Sequence, residues 1–297
     1  MKDRLDVSTP EALRALDGVR VVSIALNLPG PACARRLADF GARVTKIEPP
    51  AARGGDPMQQ YAPEYYAELH AGLEVRILDL KASADRATLD ALLSNADVLL
   101  TSQREDALAR LKLDWSTLSQ QFSRLSQVAI VGAEGSDDAG HDLTYLATAG
   151  LLSPPQLPTT LVADLGGAER AVTATFAALR VAEITGRGQR IVVPLQSAAA
   201  AFSGPHRHGL TAPGGLLAGT HPGYNFYRAS DGWIALAALE PHFAARVQTA
   251  SQTAFTVESL NRFFSKQSTQ YWQRWACEQD IPLAIVPSPI SSPTKKT

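Results

Sequence analysis

The chain has 297 residues with 28 basic and 29 acidic side chains, a formal net charge of −1. That balance provides no bulk attraction to nucleic acid or to an anionic membrane. With 45% hydrophobic and 19% charged residues, the composition is globular rather than disordered, and the length predicts one large domain or two unequal ones. Only two cysteines occur, Cys33 and Cys277, far apart and outside any CxxC pair. A disulfide scaffold and a structural zinc site are therefore excluded, and a reducing, cytoplasmic setting is expected. The first twenty residues lack an apolar h-region, so no signal peptide is expected. No apolar run approaches the roughly 18 residues needed to span a bilayer.

In chain order, VRVVSIAL (19–26) is a near-continuous apolar run, the pattern of a strand buried on both faces. NLPGP (27–31) then predicts a turn, ACARRLADFG a short helix ending at Gly41, and ARVTKIE (42–48) a second strand. The segment PPAARGGDP reads as loop. EVRILDL (74–80), ADVLLT (96–101) and SQVAIV (126–131) predict further strands, with helical spacing over 82–95 and 105–113 between them. This alternation predicts βαβ units and a parallel sheet. From about 141 the pattern changes. Helices are predicted over 142–152 and 164–186, a strand over 189–195, and a Gly/Pro/His-rich tract over 203–223 marks a domain boundary. Beyond it, 224–239 reads as a hairpin turning at Ser230–Asp231–Gly232, followed by helices around 241–250, 256–264 and 268–279. The expected organisation is a large α/β domain over 1–202, a linker over 203–223, a small domain over 224–290 and a disordered tail over 291–297.

Familiar catalytic signatures are missing: the sequence contains no GxSxG, GxxxxGK[ST], HExxH or post-strand GxGxxG. Three segments place an ionisable residue beside small or apolar neighbours: AGHDLTYLATAGLL (139–152), TLVADLGGAER (160–170) and ALEPHF (238–243). Asp164 precedes the long predicted helix, and Gly166–Gly167 would leave its first turn bare, so that backbone N–H groups could face an anionic oxygen. Alone, Asp164 reads more readily as an N-cap, His141 as a hydrogen-bonded helix-edge histidine and Glu240 as a solvated first-turn acid. The acids Asp137, Asp138 and Asp142 read as solvated, Trp272 and Trp275 as packing residues. The histidines of the 203–223 tract lack metal-ligand spacing, so no metal is expected.

Together these segments resemble one family in order and spacing. GVRVVSIALNLPGPACARRLADFGARVTKIEPP (18–50), GGDPM (54–58), LDLK (78–81), ADVLL (96–100), GHDxxYLAxxGLL (140–152), LVADLGG (161–167) and ALEPHF (238–243) are similar to the class III CoA-transferase family, nearest its α-methylacyl-CoA racemase-like branch. The histidine of GHDxxYLA distinguishes that branch from the transferases. The resemblance implies a Rossmann-like parallel-sheet large domain with a smaller α+β domain, assembled as an interlocked homodimer. It implies epimerisation of 2-methyl-branched acyl-CoA thioesters by 1,1-proton transfer through an enolate, the thioester being substrate and no further cofactor being needed.

His141 and Asp164 would then be the two acid–base groups, Glu240 would orient His141, and the amides of Asp164, Gly166 and Gly167 would hold the enolate oxygen. Among the basic positions the family uses for the CoA nucleotide, HAGLE (70–74) has none and Arg104 is retained; Lys46 and Arg76 are the other candidate CoA contacts. The chain ends at IPLAIVPSPISSPTKKT (281–297), where the family's C-terminal return to the large domain would be expected. The alternatives are a class III CoA transferase using Asp164 as nucleophile, and a non-catalytic or remodelled relative.

Overall fold

The computed structural model describes residues 14–135 and 138–288; the expected tail at 291–297 lies outside them. The strands are β1 Arg20–Ser23, β2 Arg43–Glu48, β3 Glu74–Ile77, β4 Val98–Thr101, β5 Ser126–Val131, β6 Arg190–Pro194, β7 Tyr224–Arg228, β8 Trp233–Ala237 and β9 Leu283–Val286. In the first half the helices are α1 Pro29–Asp39, α2 Met58–Tyr61, α3 Pro63–His70, α4 Ser83–Leu93, α5 Glu105–Arg110, α6 Trp115–Gln121 and α7 Asp142–Thr148. There follow α8 Val162–Thr185, α9 Leu195–Phe202, α10 Gly204–Arg207, α11 Pro241–Ser251, α12 Val257–Phe264 and α13 Thr269–Glu278. The chain divides into two compact units between Phe202 and Ser203.

The first unit is built on a parallel six-stranded sheet in the order β3-β2-β1-β4-β5-β6. Its central strands are apolar on both faces because both faces are covered. Val21, Val44, Val98 and Leu100 join α1 and α8 in one core; Val22, Ile47 and Leu99 join α4, α5 and α6 in the other. The direction of strand order reverses between β1 and β4, so a crevice opens above their C-terminal ends. There the Leu26 amide donates to the Ser102 hydroxyl at 3.0 Å, and Gln103 Nε2 donates to the Ile24 carbonyl at 2.7 Å.

Several boundaries differ from the sequence pattern. PGP is the first turn of α1 rather than a turn before it, because proline suits a helix start. The chain reverses instead at Asn27, which adopts a left-handed φ of 64°. A Cβ at Gly30 would overlap Ala25, so only glycine allows this helix to start against the strand end. The helix expected over 142–152 stops at Thr148, since Gly150 takes a left-handed φ of 71° and turns the chain. Short helices α2, α3 and α6 and the strand β9 were not apparent in the sequence pattern.

Behind the turn at Asn27 lies a buried charge network. Lys46 Nζ donates to Asp56 Oδ2 at 2.8 Å and stands 3.6 Å from Glu48 Oε1, with all three side chains almost fully enclosed. Asp56 Oδ1 accepts from the amides of Asn27 and Met58, and Glu48 accepts from the Tyr66 hydroxyl at 2.8 Å. The network thus clamps the loops after β1 and β2 at the crevice.

The second unit is an antiparallel sheet, β7-β8-β9, covered on one face by α11, α12 and α13. Its first hairpin turns at Ala229–Gly232, around Ser230–Asp231–Gly232. Trp272 packs against Phe264 and donates from Nε1 to the Phe264 carbonyl at 2.6 Å, in keeping with the packing role read from its spacing. Among the described residues, no helix is long and apolar enough to cross a membrane.

Replacing Lys46 by methionine leaves Asp56 and Glu48 buried without their counter-charge. Such a loss costs roughly 3–5 kcal/mol. Lys46→Met is therefore expected to lower the denaturant midpoint sharply without changing the m-value, as followed by circular dichroism.

Candidate active site

Helix α8 begins at Val162, two residues earlier than its sequence pattern suggests, so Asp164 lies in its first turn rather than ahead of it. The residue at the N-cap position, Leu161, has no side-chain acceptor. A carboxylate from another helix takes its place. Asp142 Oδ1 accepts from the Ala163 amide at 2.7 Å and from the Asp164 amide at 3.0 Å. Asp142 is the first residue of α7 and is buried, so it is not the solvated acid expected from its neighbours in sequence. This tertiary cap satisfies two of the four donors a helix start leaves free.

The same contact sets the position of His141, which is the N-cap of α7 and immediately precedes Asp142. Thr144 Oγ1 accepts from the His141 amide at 3.0 Å and donates to the His141 carbonyl at 2.8 Å, fixing the backbone from which the imidazole extends. The structure therefore brings His141 and Asp164 together through one shared tie. Burial pushes the Asp164 carboxyl up to about 6; the adjacent Asp142 carboxylate adds to the rise and His141 opposes it. Such a group can exchange protons near neutrality.

Above the C-terminal ends of β4 and β5 a cavity of about 640 Å³ is lined by residues that include Arg104, Gly132, Gly140, His141 and Tyr145. Arg104 is exposed at the N-cap of α5, with its guanidinium available to this cavity. Within the same lining, Arg190 forms an ion pair with Glu105. A second cavity, of about 530 Å³, opens above β1, β2 and β3 over an apolar floor that includes Ile24, Ile47 and Leu78, with Arg53 and Lys81 among its lining residues. Gln103 lines both.

Other expected site residues fall elsewhere. Lys46 is fully enclosed and held by Asp56, so it is not available to a CoA phosphate. Arg76 is exposed on the edge strand β3, pairs with Glu74 and lines neither cavity. The amides proposed for an enolate oxygen are also engaged or displaced. The Asp164 amide is taken by Asp142, while Gly166 and Gly167 lie past the first turn, the Leu165 amide already bonding to the Leu161 carbonyl. Their smallness serves packing, since a Cβ at Gly166 would overlap Phe202 and one at Gly167 would overlap Leu195, both on α9. Glu240 is the N-cap residue of α11 in the second unit.

Glu48, Asp56 and His70 bring three potential metal-ligating atoms within 4.8 Å of one another. The Lys46 ammonium already stands among them and supplies the positive charge a metal would bring. Sequence reasoning missed Asp142 as a cap and Tyr145 as a lining residue. The Asp142 contact spans 21 residues and leaves no local pattern.

The model of CoA-transferase family III matches residues 16–291, and the chain belongs to that family. It is 34% identical over 249 residues to the α-methylacyl-CoA racemase of Homo sapiens, covering 77% of this chain and 63% of that protein. It is 29% identical over 265 residues to a cinnamoyl-CoA:phenyllactate CoA-transferase of Clostridium sporogenes, covering 78% of this chain and 64% of that protein. The chain thus spans a little under two thirds of these relatives' length. Among solved structures, a CAIB/BAIF family protein from Brucella suis matches with a TM-score of 0.75 at 22% identity, over 92% of this chain and 84% of that one. That likeness supports the fold.

Two outcomes follow from the paired carboxylates. Asp142→Ala should cost about 1–3 kcal/mol, because two buried amides lose their acceptor, whereas Asp142→Asn keeps an acceptor oxygen. Thermal melts of both variants check this. The folded-state value of Asp164 is raised, so its stabilising contribution is present below its unfolded value near 4 and is lost as pH rises through about 6. Asp164→Asn should therefore be more stable than the parent at pH 7.5, by on the order of 1–2 kcal/mol, with the gain vanishing near pH 4.

Proposed function

We propose that the chain carries out 1,1-proton transfer at the α-carbon of a 2-methyl-branched acyl-CoA thioester, through an enolate. The observation carrying this reading is a carboxyl pushed up to about 6 beside a histidine, both fixed by the Asp142 tie. In the proposed reaction one group removes the α-proton, and the C–H electron pair becomes the C=C bond as the thioester carbonyl becomes an enolate oxygen. The other group returns a proton to the opposite face, inverting the centre. Neither step consumes a reductant or needs a resident cofactor. Positioned acid–base groups supply roughly 10²–10⁴-fold each.

Glu240 is assigned, from the ALEPHF motif, the orientation of His141. Arg104 is the proposed phosphate contact at the first cavity. The second cavity, with its apolar floor, Lys81 and the Asp79-paired Arg53, suits the flat adenine ring. Lys46 and Arg76 are not part of this assignment. The homodimer belongs to the same reading and follows from the family resemblance, while the cytoplasmic setting rests on the cysteine usage.

A CoA-transferase reading is favoured by the transferases among the relatives. There the Asp164 carboxylate would attack the thioester, expel the CoA thiolate and form an acyl–aspartyl anhydride. That chemistry makes no use of a second acid–base group such as His141.

The two are separated in deuterium oxide. Under the racemase reading, wild-type protein incubated with either epimer of a 2-methylacyl-CoA exchanges the α-hydrogen for deuterium while inverting. His141→Ala and Asp164→Ala retain slow exchange with opposite epimer preference. Mass spectrometry of recovered thioester reads the outcome. Acyl transfer to an added carboxylate without α-exchange would replace this reading by the transferase.

A further inference from the structure

The strand at one end of the first unit's sheet is unlike the rest. A parallel sheet normally has both faces covered, and β4 and β5 are buried along almost their whole length. β3 is exposed at every position, Val75 at 37% and Ile77 at 54%. It is also an edge, since among the described residues it pairs with β2 alone. The Leu78 amide donates to the Glu48 carbonyl, and Arg76 lies in register with Ile47, so the even-numbered residues turn their backbone groups to β2. Val75 and Ile77 turn theirs outward.

The side chains divide in the same way. Val75 and Ile77 share one face with Leu73, and Glu74 and Arg76 share the other. Arg76 Nε donates to Glu74 Oε1 at 2.7 Å, and Thr45 Oγ1 donates to Glu74 Oε2 at 3.2 Å. Natural sheets guard such edges with lysine, proline or a bulge. The opposite edge, β6, ends in Pro194, whereas β3 has neither lysine nor proline and keeps an unbroken register. It carries instead one base and one acid two residues apart, a pattern that a reversed copy of itself matches.

We infer that β3 is a docking edge for a second copy of this chain, the two strands running antiparallel with Val75 opposite the partner's Val75. The outward backbone groups of the two valines then form a hydrogen-bonded pair and join two sheets into one. On one face Glu74 meets the partner's Arg76 and Arg76 meets the partner's Glu74. On the other, Ile77 meets the partner's Leu73. Sliding the strands by one residue would set outward backbone groups against groups already bonded to β2. Sliding them by two would set Glu74 against the partner's Glu74, or Arg76 against the partner's Arg76. Charge therefore selects the register. The contact has only four strand residues from each chain, so it forms with rising concentration. It depends neither on the reaction nor on the homodimer proposed above.

The test uses the full chain carrying Cys277→Ser, since Cys277 is exposed and Cys33 is buried. With Val75→Cys added, a short bis-maleimide should yield a covalent dimer, the two Cα atoms standing about 5.5 Å apart. Ile77→Cys should not, because its two copies lie roughly 14 Å apart along the strands. Adding Arg76→Glu or Glu74→Arg to Val75→Cys sets like charges together at both crossings and should lower cross-linking about tenfold. Both reversals together restore the match and should return it to within about twofold of the starting level. Hydrogen exchange of the parent chain gives a second reading: protection of the Val75 and Ile77 amides should rise with protein concentration. Absence of a dimer from Val75→Cys, equal cross-linking at Ile77→Cys, or single reversals without effect would each overturn the inference. Protection that is independent of concentration, with an unreactive Val75→Cys, would overturn it too, by showing that another part of the same chain covers the edge.

Discussion

The site depends on one oxygen. Asp142 Oδ1 accepts from two consecutive amides at the start of α8, and its own residue follows His141 in the chain. A single side chain therefore fixes the separation of the two acid–base candidates, which belong to helices 21 residues apart at the nearer of the two contacts. The arrangement also explains why α8 can begin at Val162 with Leu161, a residue unable to cap it, at the N-cap: the cap is tertiary. The docking of α7 on α8 and the placing of the two acid–base candidates thus rest on the same contact.

The buried Lys46 network performs the corresponding task at the other side of the crevice. Asp56 spends one oxygen on Lys46 and the other on the amides of Asn27 and Met58. Asn27 could not keep its left-handed conformation as cheaply without that acceptor, because a non-glycine residue there is strained. The loops after β1 and β2 are consequently tied together where the second cavity opens. Such enclosed charges are costly to desolvate, and hydrogen bonds to every member are what make them tolerable.

Much of the fold was legible because its signals are local. The apolar runs at 19–26 and 96–101 mark strands buried on two faces, and the hairpin around Ser230–Asp231–Gly232 follows from its turn residues. Boundaries were less legible. PGP opens α1 because Gly30 lets the helix approach Ala25, a packing fact with no periodic signature. The site was legible in part: the motifs single out His141 and Asp164, but Lys46 was a candidate for phosphate contact when only its charge was visible, and burial reverses that reading. Gly166 and Gly167 were similarly ambiguous. Bare amides and close helix packing both call for glycine, and only the positions of Phe202 and Leu195 separate them. Asp142 illustrates the general limit, since a cap supplied from 21 residues away looks in sequence like any other aspartate.

The two neighbouring carboxylates also show how environment divides one chemistry into two roles. Asp142 is buried but committed, its oxygen held by two amides. Asp164 sits at the same helix start, yet its amide rather than its carboxyl receives the tie, and burial beside another negative charge pushes it up to about 6. Holding it there makes its ionised form unfavourable at neutral pH, a cost that a purely structural helix start would avoid by exposing the carboxyl. The Asp142 anion is thus useful twice: it anchors the helix, and by its charge it keeps the adjacent carboxyl basic enough to take a proton.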